Sequence, residues 1–360
     1  MDIEIKRIAV LCDYKLMPDR IGGMDYFFWQ FDASCKTQNI ALDWFFPNSG
    51  NHGGYGKFNI IASDGESIES LFLDHLQNKN ISYSHVITHF LEICTPFYKH
   101  VKKILPAKII AVDHNPRPLN GYPVKKKIIK RIKGILYAKY IDLFVGVSQN
   151  MVKELLQDFG MQINTKIVVI HNGLLIENFK IKKSYRKPIS FIVACHLRES
   201  KGIQDLIKAV YNLPKKLQKT INVDIYGEGP YEQFLKDMTK LWLLDNTVNF
   251  KGSVSNLPHQ FYKYDLLIHP SHAETFCYTV LESLICRVPV ITTKNIGNVL
   301  EIVVEGKNGY LFEARNVVQL STLLKDIVEK EEIINCNTPK DLAEKFSIEN
   351  MLNNYLKLLN

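Results

Sequence analysis

The stretch DLLIHPSHAETFCYTVLES, residues 265–283, joins a strand signal, a short loop and a helix signal in immediate succession. Residues 265–269 form an apolar run, the pair at 270–271 ends it, and residues 278–286 have the pattern of a helix. Such strand–loop–helix units are typical of parallel α/β folds, in which ligands bind where the strands end.

The same unit recurs along the chain. The first series of strand candidates is Arg7–Cys12, Ala41–Phe46, His85–Thr88, Lys108–Val112, Leu143–Val147 and Lys166–Ile170. The second series is Ser190–Ala194, Asn222–Tyr226, Val248–Phe250, Leu266–His269, Pro289–Thr293 and Tyr310–Phe312. A polar segment at 181–188 separates the two series and is a candidate linker. We expect two doubly wound domains joined near residue 185.

Length and composition agree with a globular protein. The chain has 360 residues, 46% of them hydrophobic, which is enough to bury two cores. No apolar segment approaches the ~20 residues of a spanning helix, so we expect neither a signal peptide nor a transmembrane helix. The seven cysteines are scattered and form no C-x-x-C pair, which argues against a disulfide framework and a zinc site. A reducing cytoplasm is the expected compartment.

The positive charge is concentrated in one segment. Residues 101–140 carry eleven Lys or Arg and one acid, Asp113, although the whole chain is only +8. Within residues 123–140, apolar residues recur at helical spacing between the basic ones: Ile128, Ile129, Ile132, Ile135 and Leu136. Three interpretations stay open, namely a solvated helix packed on a core, attraction to an anionic membrane surface, and nucleic-acid binding. The last is the weakest, because no nucleic-acid motif accompanies the charge, and no such partner is expected.

The opening stretch also carries two glutamates, Glu274 in the loop and Glu282 on the helix. The loop through Thr275, Phe276 and Cys277 leads into a helix N-terminus, where backbone N–H groups can bind an anion. Ionised carboxylates only accept hydrogen bonds. This combination favours a ligand that carries both phosphate and hydroxyl groups, and sugars and riboses are rich in hydroxyl donors.

The spacing of these glutamates resembles the E-x7-E element of the family 4 retaining glycosyltransferases, which have the GT-B fold. Two glutamates alone are weak evidence, but an ordered set of further resemblances covers nearly the whole chain. The set comprises Gly22-Gly23, Val112-Asp-His114, Val147-Ser148, Val169-Ile-His-Asn-Gly173, His196-Leu-Arg-Glu-Ser-Lys-Gly202, Gly227-Glu-Gly229-Pro230, Phe250-Lys-Gly252, Gly306-Lys-Asn-Gly309 and Lys345-Phe-Ser-Ile-Glu-Asn-Met351.

The resemblance implies an α/β architecture of two Rossmann-like doubly wound domains that face each other across a cleft. Residues 1–180 would form the acceptor-binding domain and residues 181–343 the nucleotide-sugar-binding domain. Residues 344–360 would form a helix that returns to the first domain.

The resemblance also implies roles for individual residues. His114, Lys201 and Glu274 would be catalytic, with Lys201 stabilising the diphosphate as the sugar leaves. Glu282 would bind the ribose. The implied donor-binding set is Gly22, Gly23, His196, Arg198, Lys201, Gly227, Glu228, Gly229, Glu274, Phe276, Cys277, Tyr278, Thr279 and Glu282. Residues of each of these types also occur in ordinary turns and on ordinary protein surfaces. The assignment of roles therefore rests on the order of the motifs along the chain.

Some positions depart from the family pattern. His196 stands where the family has arginine, and either His196 or Arg198 would take the phosphate role. Thr275 and Cys277 replace glycines, and His171 replaces a proline. No D-x-D triplet is present, and we expect no metal and no cofactor.

The predicted function is therefore retaining transfer of a sugar from a UDP- or GDP-sugar to a saccharide or lipid-linked saccharide acceptor, in surface polysaccharide biosynthesis. We expect a cytoplasmic protein, attached to the inner face of the cell membrane if the basic helix binds lipid. Two alternatives stay open, a nucleotide-sugar epimerase of the same architecture and a catalytically silent partner subunit. Donor hydrolysis without added acceptor separates an enzyme from a silent subunit.

Overall fold

The computed structural model describes residues 6–19, 21–79, 81–118, 120–185, 187–254, 256–336 and 340–359. The chain divides into two compact units. Unit 1 runs to Leu174 and resumes at Phe346, and unit 2 is Leu175–Lys345.

Unit 1 contains a seven-stranded parallel sheet in the order β3-β2-β1-β4-β5-β6-β7. The strands are β1 Lys6–Cys12, β2 Ile40–Phe46, β3 Asn59–Ala62, β4 His85–His89, β5 Lys108–Asp113, β6 Leu143–Gly146 and β7 Ile167–Val169. Its helices are α1 Gly23–Thr37, α2 Ile68–Asn78, α3 Pro96–Ile104, α4 Val124–Tyr137, α5 Gln149–Phe159 and, after unit 2, α13 Ile348–Leu358. Helices on both faces bury the central strands completely, which is why these strands read as apolar runs.

The last helix completes the core of unit 1. Tyr355 on α13 is fully buried and its ring lies 4.7 Å from that of Phe27 on α1. Gly173 is required at the point where the chain meets the start of α13, because the backbone of Ser347 and Ile348 fills the space that a Cβ would occupy.

Unit 2 contains a six-stranded parallel sheet in the order β10-β9-β8-β11-β12-β13. The strands are β8 Ser190–Ala194, β9 Asn222–Tyr226, β10 Val248–Gly252, β11 Leu266–His269, β12 Val290–Thr293 and β13 Gly309–Phe312. The helices are α6 Ile203–Tyr211, α7 Lys215–Gln218, α8 Glu232–Leu241, α9 Tyr278–Ile285, α10 Val299–Ile302, α11 Val317–Lys330 and α12 Lys340–Lys345.

Both sheets are doubly wound, so the prediction of parallel α/β architecture is confirmed. The strand order reverses between β1 and β4 in unit 1 and between β8 and β11 in unit 2. Loops that follow these strands diverge at the reversal and leave room for a ligand. The predicted site residues follow these strands or their neighbours.

Two features differ from the sequence prediction. Strand β3 was not predicted, because it is a four-residue edge strand with no fully buried position. The predicted linker at 181–188, whose residue 186 lies outside the described residues, belongs to unit 2. Lys182 ties it there, since its buried ammonium nitrogen lies 2.9 Å from a carboxylate oxygen of Asp265.

The basic helix forms as predicted, but the interpretation that its apolar face packs on a core is wrong. In α4 the isoleucines are exposed, whereas Gly134 is buried and Lys130 and Lys133 are partly buried. Gly134 packs against the backbone of Phe159, where a Cβ would clash. The inward face of α4 is therefore small and charged rather than apolar.

Candidate active site

Two loops of unit 2 bring Lys201 and Glu274 together. Lys201 follows β8 and Glu274 follows β11, and these strands are neighbours at the reversal of the sheet. The ammonium nitrogen of Lys201 lies 2.5 Å from Oε1 of Glu274. The same oxygen accepts a hydrogen bond of 2.8 Å from the hydroxyl of Ser271, and Nε2 of His269 lies 3.3 Å away.

The charges of this cluster stabilise each other. Burial by itself would raise the pKa of Glu274, but the Lys201 ammonium and His269 more than offset it and lower this pKa to about 2. Burial would lower the pKa of Lys201, and Glu274 raises it instead. The loop therefore holds a carboxylate and an ammonium at neutral pH.

The Lys201 turn is fixed against the Glu274 loop by backbone contacts. Gly202 has a φ of 69°, and the carbonyl of Pro270 occupies the position of a Cβ. His272 adds a hydrogen bond of 2.7 Å between its Nε2 and Asp205, and its backbone N–H donates to the carbonyl of Ser200 at 2.8 Å. These contacts preorganise the positions of both charged side chains.

The Gly227-Glu-Gly229 turn packs directly on the segment that contains His196. Gly227 has a φ of 122° and lies against the carbonyl of Cys195, and Gly229 lies against the carbonyl of Leu197. A Cβ at either glycine would clash with this backbone. Glu228 accepts a hydrogen bond of 3.1 Å from the Ser253 amide. The turn and the His196 segment thus form one structural element.

The two candidates for the phosphate role differ in burial. His196 is partly buried, whereas Arg198 is exposed. The side chain between them, Leu197, is fully buried in the core of unit 2.

Glu282 lies on α9, where its side chain is partly removed from water. Its side chain is partly buried, and burial raises its pKa to about 7. No hydrogen bond joins its carboxyl group to another side chain or amide within the described ranges. A group that donates two hydrogen bonds, such as a ribose diol, would supply the hydrogen bonds that the ionised carboxylate of Glu282 lacks.

The start of α9 is fixed by a hydrogen bond at Cys277. Its backbone N–H donates to Oδ1 of Asn298 at 2.7 Å, and the N–H of Tyr278 donates to the Phe276 carbonyl at 3.2 Å. Of the loop amides that the sequence analysis offered to an anion, that of Cys277 is thus hydrogen-bonded to Asn298 in this structure. Thr279 lies in the first turn of α9. An anion at this end would approach the remaining first-turn amides.

In unit 1 the Gly22-Gly23 pair follows β1, as predicted, at the start of α1, and the Gly22 amide is held by a buried carboxylate. Asp25 accepts hydrogen bonds from the Gly22 amide (2.8 Å), the Tyr14 hydroxyl (2.8 Å) and the Tyr55 hydroxyl (2.6 Å). Asp25 was missed in the sequence, because its three partners cannot be inferred from its spacing to the glycines.

His114 follows β5 and forms a buried pair with His89 at the end of β4. Nε2 of His114 lies 3.0 Å from Nδ1 of His89, and its ring stacks on Phe90 at 4.2 Å. Burial lowers the pKa of His114 to about 3, and it lowers that of His89 well below its usual value. The pair is therefore neutral at pH 7, with one ring nitrogen donating to the other.

Phe90 connects this pair with the glycine loop. It has a φ of 65°, which is unusual for a bulky residue, and it stacks on Tyr14 at 5.6 Å. Tyr14 in turn binds Asp25. His114 and Gly22 thus belong to one network within unit 1. In the described part of the chain, no group of three or more His, Cys, Asp or Glu side chains is arranged to hold a metal ion.

Comparisons with known proteins agree with this architecture. Residues 176–346 match the family model described as Glycosyl transferases group 1. A poly(glycerol-phosphate) alpha-glucosyltransferase of Bacillus subtilis (strain 168) is 22% identical over an alignment of 330 residues that covers 81% of this chain and 48% of that protein. An N-acetyl-alpha-D-glucosaminyl L-malate synthase of Bacillus anthracis is 22% identical over 67% of this chain and 71% of that protein. The chain spans about half the length of several of the curated relatives it matches.

A solved structure shows the same fold. The crystal structure of Anabaena Alr3699/HepE in complex with UDP has a TM-score of 0.76 at 16% identity, and the match covers 98% of this chain and 99% of that chain. At this identity the likeness establishes the fold of the chain.

Proposed function

We propose that the chain, whose residues 176–346 match the model of the glycosyl transferases group 1 family, transfers a sugar, with retention of configuration, from a UDP- or GDP-sugar to a saccharide or lipid-linked saccharide acceptor. The observation that carries the proposal is the Lys201–Glu274 ion pair, at the carboxyl edge of the unit 2 sheet, with Glu282 on the helix that follows. The site combines one flexible ammonium group, which can bind a diphosphate, with two carboxylates, which can accept hydrogen bonds from hydroxyl groups.

The roles follow from the chemistry of each group. Glu282 accepts hydrogen bonds from the ribose hydroxyls, which favours its ionised form. Glu274 accepts hydrogen bonds from hydroxyls of the donor sugar, and Lys201 moves from Glu274 toward the diphosphate. Gly22 and Gly23 admit the phosphates because they have no Cβ, and neutral His114 hydrogen-bonds to the donor sugar.

In the transfer step the bond between the anomeric carbon and the phosphate oxygen breaks, and both electrons remain on that oxygen. The acceptor oxygen forms the new bond on the same face of the sugar, and its proton passes to the phosphate oxygen. Lys201, together with His196 or Arg198, stabilises the charge that develops on the diphosphate.

The names of two relatives support the proposed stereochemistry, and one of them is named for a polymeric acceptor. The Bacillus subtilis relative is named for a poly(glycerol-phosphate) and for an alpha product, and the product is alpha when an alpha-linked donor reacts with retention. The Bacillus anthracis relative is likewise named for an alpha-linked sugar. We propose that the acceptor of this chain is likewise polymeric and belongs to a surface polysaccharide pathway. We also propose that the protein acts in the cytoplasm.

A nucleotide screen tests the proposal. UDP or GDP should raise the melting temperature of the wild-type protein, and Glu282→Ala should abolish most of that rise. Glu329→Ala, which removes an exposed glutamate on α11, should keep it and serves as the matched control. A rise of equal size in Glu282→Ala would contradict the ribose assignment, and no rise with any nucleotide would contradict the proposed donor class.

A further inference from the structure

Helix α4 exposes an apolar surface that no described part of the chain covers. Six of its large apolar side chains are exposed, including Ile135 at 66%, Ile128 at 55% and Ile132 at 49%. The full set is Val124, Ile128, Ile129, Ile132, Ile135 and Leu136. Nonpolar side chains in this number on one short helix are unusual for a surface that faces only water.

These side chains lie on one face of the helix. At about 100° per residue, they occupy an arc of about 140°. Lys127 and Arg131 border this arc on one side, and Lys126 and Lys133 lie beyond its other edge, where Lys133 pairs with Glu92. Lys125 lies within the arc at the N-terminal end.

The orientation of the helix is fixed by its opposite face. Gly134 is buried against the backbone of Phe159 at the end of α5. The ammonium nitrogen of Lys130 lies 3.0 Å from Asp158, and that of Lys133 lies 2.7 Å from Glu92. Turning the isoleucines inward would break these contacts, so the apolar arc is held outward.

The charge around the apolar arc is predominantly positive. Residues 114–141 contain no acidic residue, and of the two acids that pair with lysines of α4, Asp158 is buried and Glu92 is exposed beside Lys133. Lys125 and Lys127 are exposed, and so is Arg131. The surface therefore needs a partner that is apolar at its centre and negatively charged around it.

We propose that α4 lies in the plane of an anionic lipid bilayer, with its apolar arc at the boundary between headgroups and acyl chains and its flanking cations at the lipid phosphates. A helix of this kind rests on a membrane rather than crossing it. No helix in the described ranges is long and apolar enough to span a bilayer. The inference does not depend on the proposed sugar transfer.

Other occupants fit the surface less well. A second copy of the chain would bring the cationic borders of two apolar arcs together, where their like charges repel. Nucleic acid would satisfy the cations but would leave six apolar side chains against water or phosphate, and the arc offers no aromatic ring for base stacking.

Vesicle binding tests the proposal. The wild-type protein should co-sediment with vesicles made of equal parts phosphatidylglycerol and phosphatidylcholine. Its binding to vesicles of pure phosphatidylcholine should be weaker by about tenfold or more. Raising salt from about 0.1 M to about 1 M should weaken the binding, because the Debye length falls from ~10 Å to ~3 Å.

Two triple variants separate the contribution of the apolar side chains to membrane binding from that of the cationic ones. Ile128→Ser/Ile132→Ser/Ile135→Ser and Lys125→Gln/Lys127→Gln/Arg131→Gln should each reduce binding to anionic vesicles about tenfold or more. The matched controls carry the same changes at exposed positions of unit 2. They are Phe234→Ser/Leu241→Ser/Leu243→Ser and Lys216→Gln/Lys219→Gln/Lys240→Gln, and both should bind within about twofold of wild type.

Insertion can also be measured with a large apolar side chain kept at the tested position. Ile132→Trp should show a blue shift of its fluorescence when anionic vesicles are added, whereas Leu241→Trp should not. The proposal is overturned by equal binding to neutral and anionic vesicles, by unchanged binding of the serine variant, or by no shift in Ile132→Trp. It is equally overturned if the protein self-associates without lipid and the serine substitutions make it monomeric.

Discussion

The ammonium group of Lys201 lies 2.5 Å from Oε1 of Glu274, although the two residues are 73 positions apart. Their side chains are 22% and 15% exposed, so the pair is largely shielded from water. In the proposed mechanism this pair separates when the diphosphate binds, because phosphate oxygens compete with Glu274 for Lys201. The pair thus links the stability of the free protein to the binding of its donor.

Lys201→Ala should therefore have two effects. Turnover should fall by about hundredfold or more, because the charge that stabilises the departing diphosphate is lost. The free energy of unfolding should fall by about 1–3 kcal/mol, because Glu274 is left with a buried charge. Chemical denaturation of Lys201→Ala/Glu274→Gln should recover most of that stability without recovering turnover.

Lys236→Ala is the matched control, since it removes a lysine from an exposed ion pair with Glu232 on α8. It should change stability by about 0.5 kcal/mol or less. Normal turnover in Lys201→Ala would remove this residue from the site.

Glu282 should make stability depend on pH. Its folded-state pKa of about 7 lies above the ordinary 4.5, so the native state holds the proton more tightly than the unfolded state. The resulting stability is complete below pH 4.5 and is lost as pH rises through about 7. Glu282→Gln stays neutral, so its stability relative to wild type should rise over this window by up to about 3 kcal/mol. A difference that does not vary between pH 4.5 and 8 would contradict the buried, unpaired carboxyl.

His114 should act as a neutral group throughout the physiological range. Its folded-state pKa of about 3 lies below the ordinary 6.5, so the unfolded state binds more protons between these values and stability falls as the pH is lowered through them. His114→Phe should make this fall shallower by up to about 1.4 kcal/mol per pH unit. His100→Asn, at an exposed position of α3, should leave the slope unchanged. An inflection near pH 6.5 in the activity of wild type that disappears in His114→Phe would show instead that His114 titrates there.

Treatment with EDTA should leave turnover unchanged. The expectation rests on the sequence, which contains no D-x-D triplet, and on Lys201 as the proposed cation for the diphosphate. Inhibition by EDTA that is reversed by Mg²⁺ or Mn²⁺ would contradict it.

Buried strands were predictable from the sequence because both faces of a parallel sheet are covered. Ile8 to Leu11 and Leu266 to Ile268 are fully buried, and their apolar runs mark them as strands. Edge strand β3 lacks that signal. The fold followed from these runs and from their alternation with helices.

Contacts between distant segments were less predictable. The spacing of isoleucines in α4 indicates a helix, but the inward direction is decided by Gly134, Asp158 and Glu92, which that spacing does not encode. In the same way, Asn298 satisfies the Cys277 amide from a position 21 residues away. Of the site residues that the sequence analysis missed, His269 was the easiest to predict, because it ends a predicted strand directly before the Glu274 loop.

Release of nucleoside diphosphate is the most direct test of the proposed sugar transfer. Purified protein would be incubated without acceptor with UDP-glucose, UDP-galactose, UDP-N-acetylglucosamine and GDP-mannose, and release of UDP or GDP would be followed by chromatography. At least one donor should be hydrolysed, at a rate that falls about hundredfold or more in Lys201→Ala and stays within about twofold in Lys236→Ala. No release from any nucleotide sugar by a protein whose melting temperature no nucleotide raises, or equal release by Lys201→Ala, would contradict the account.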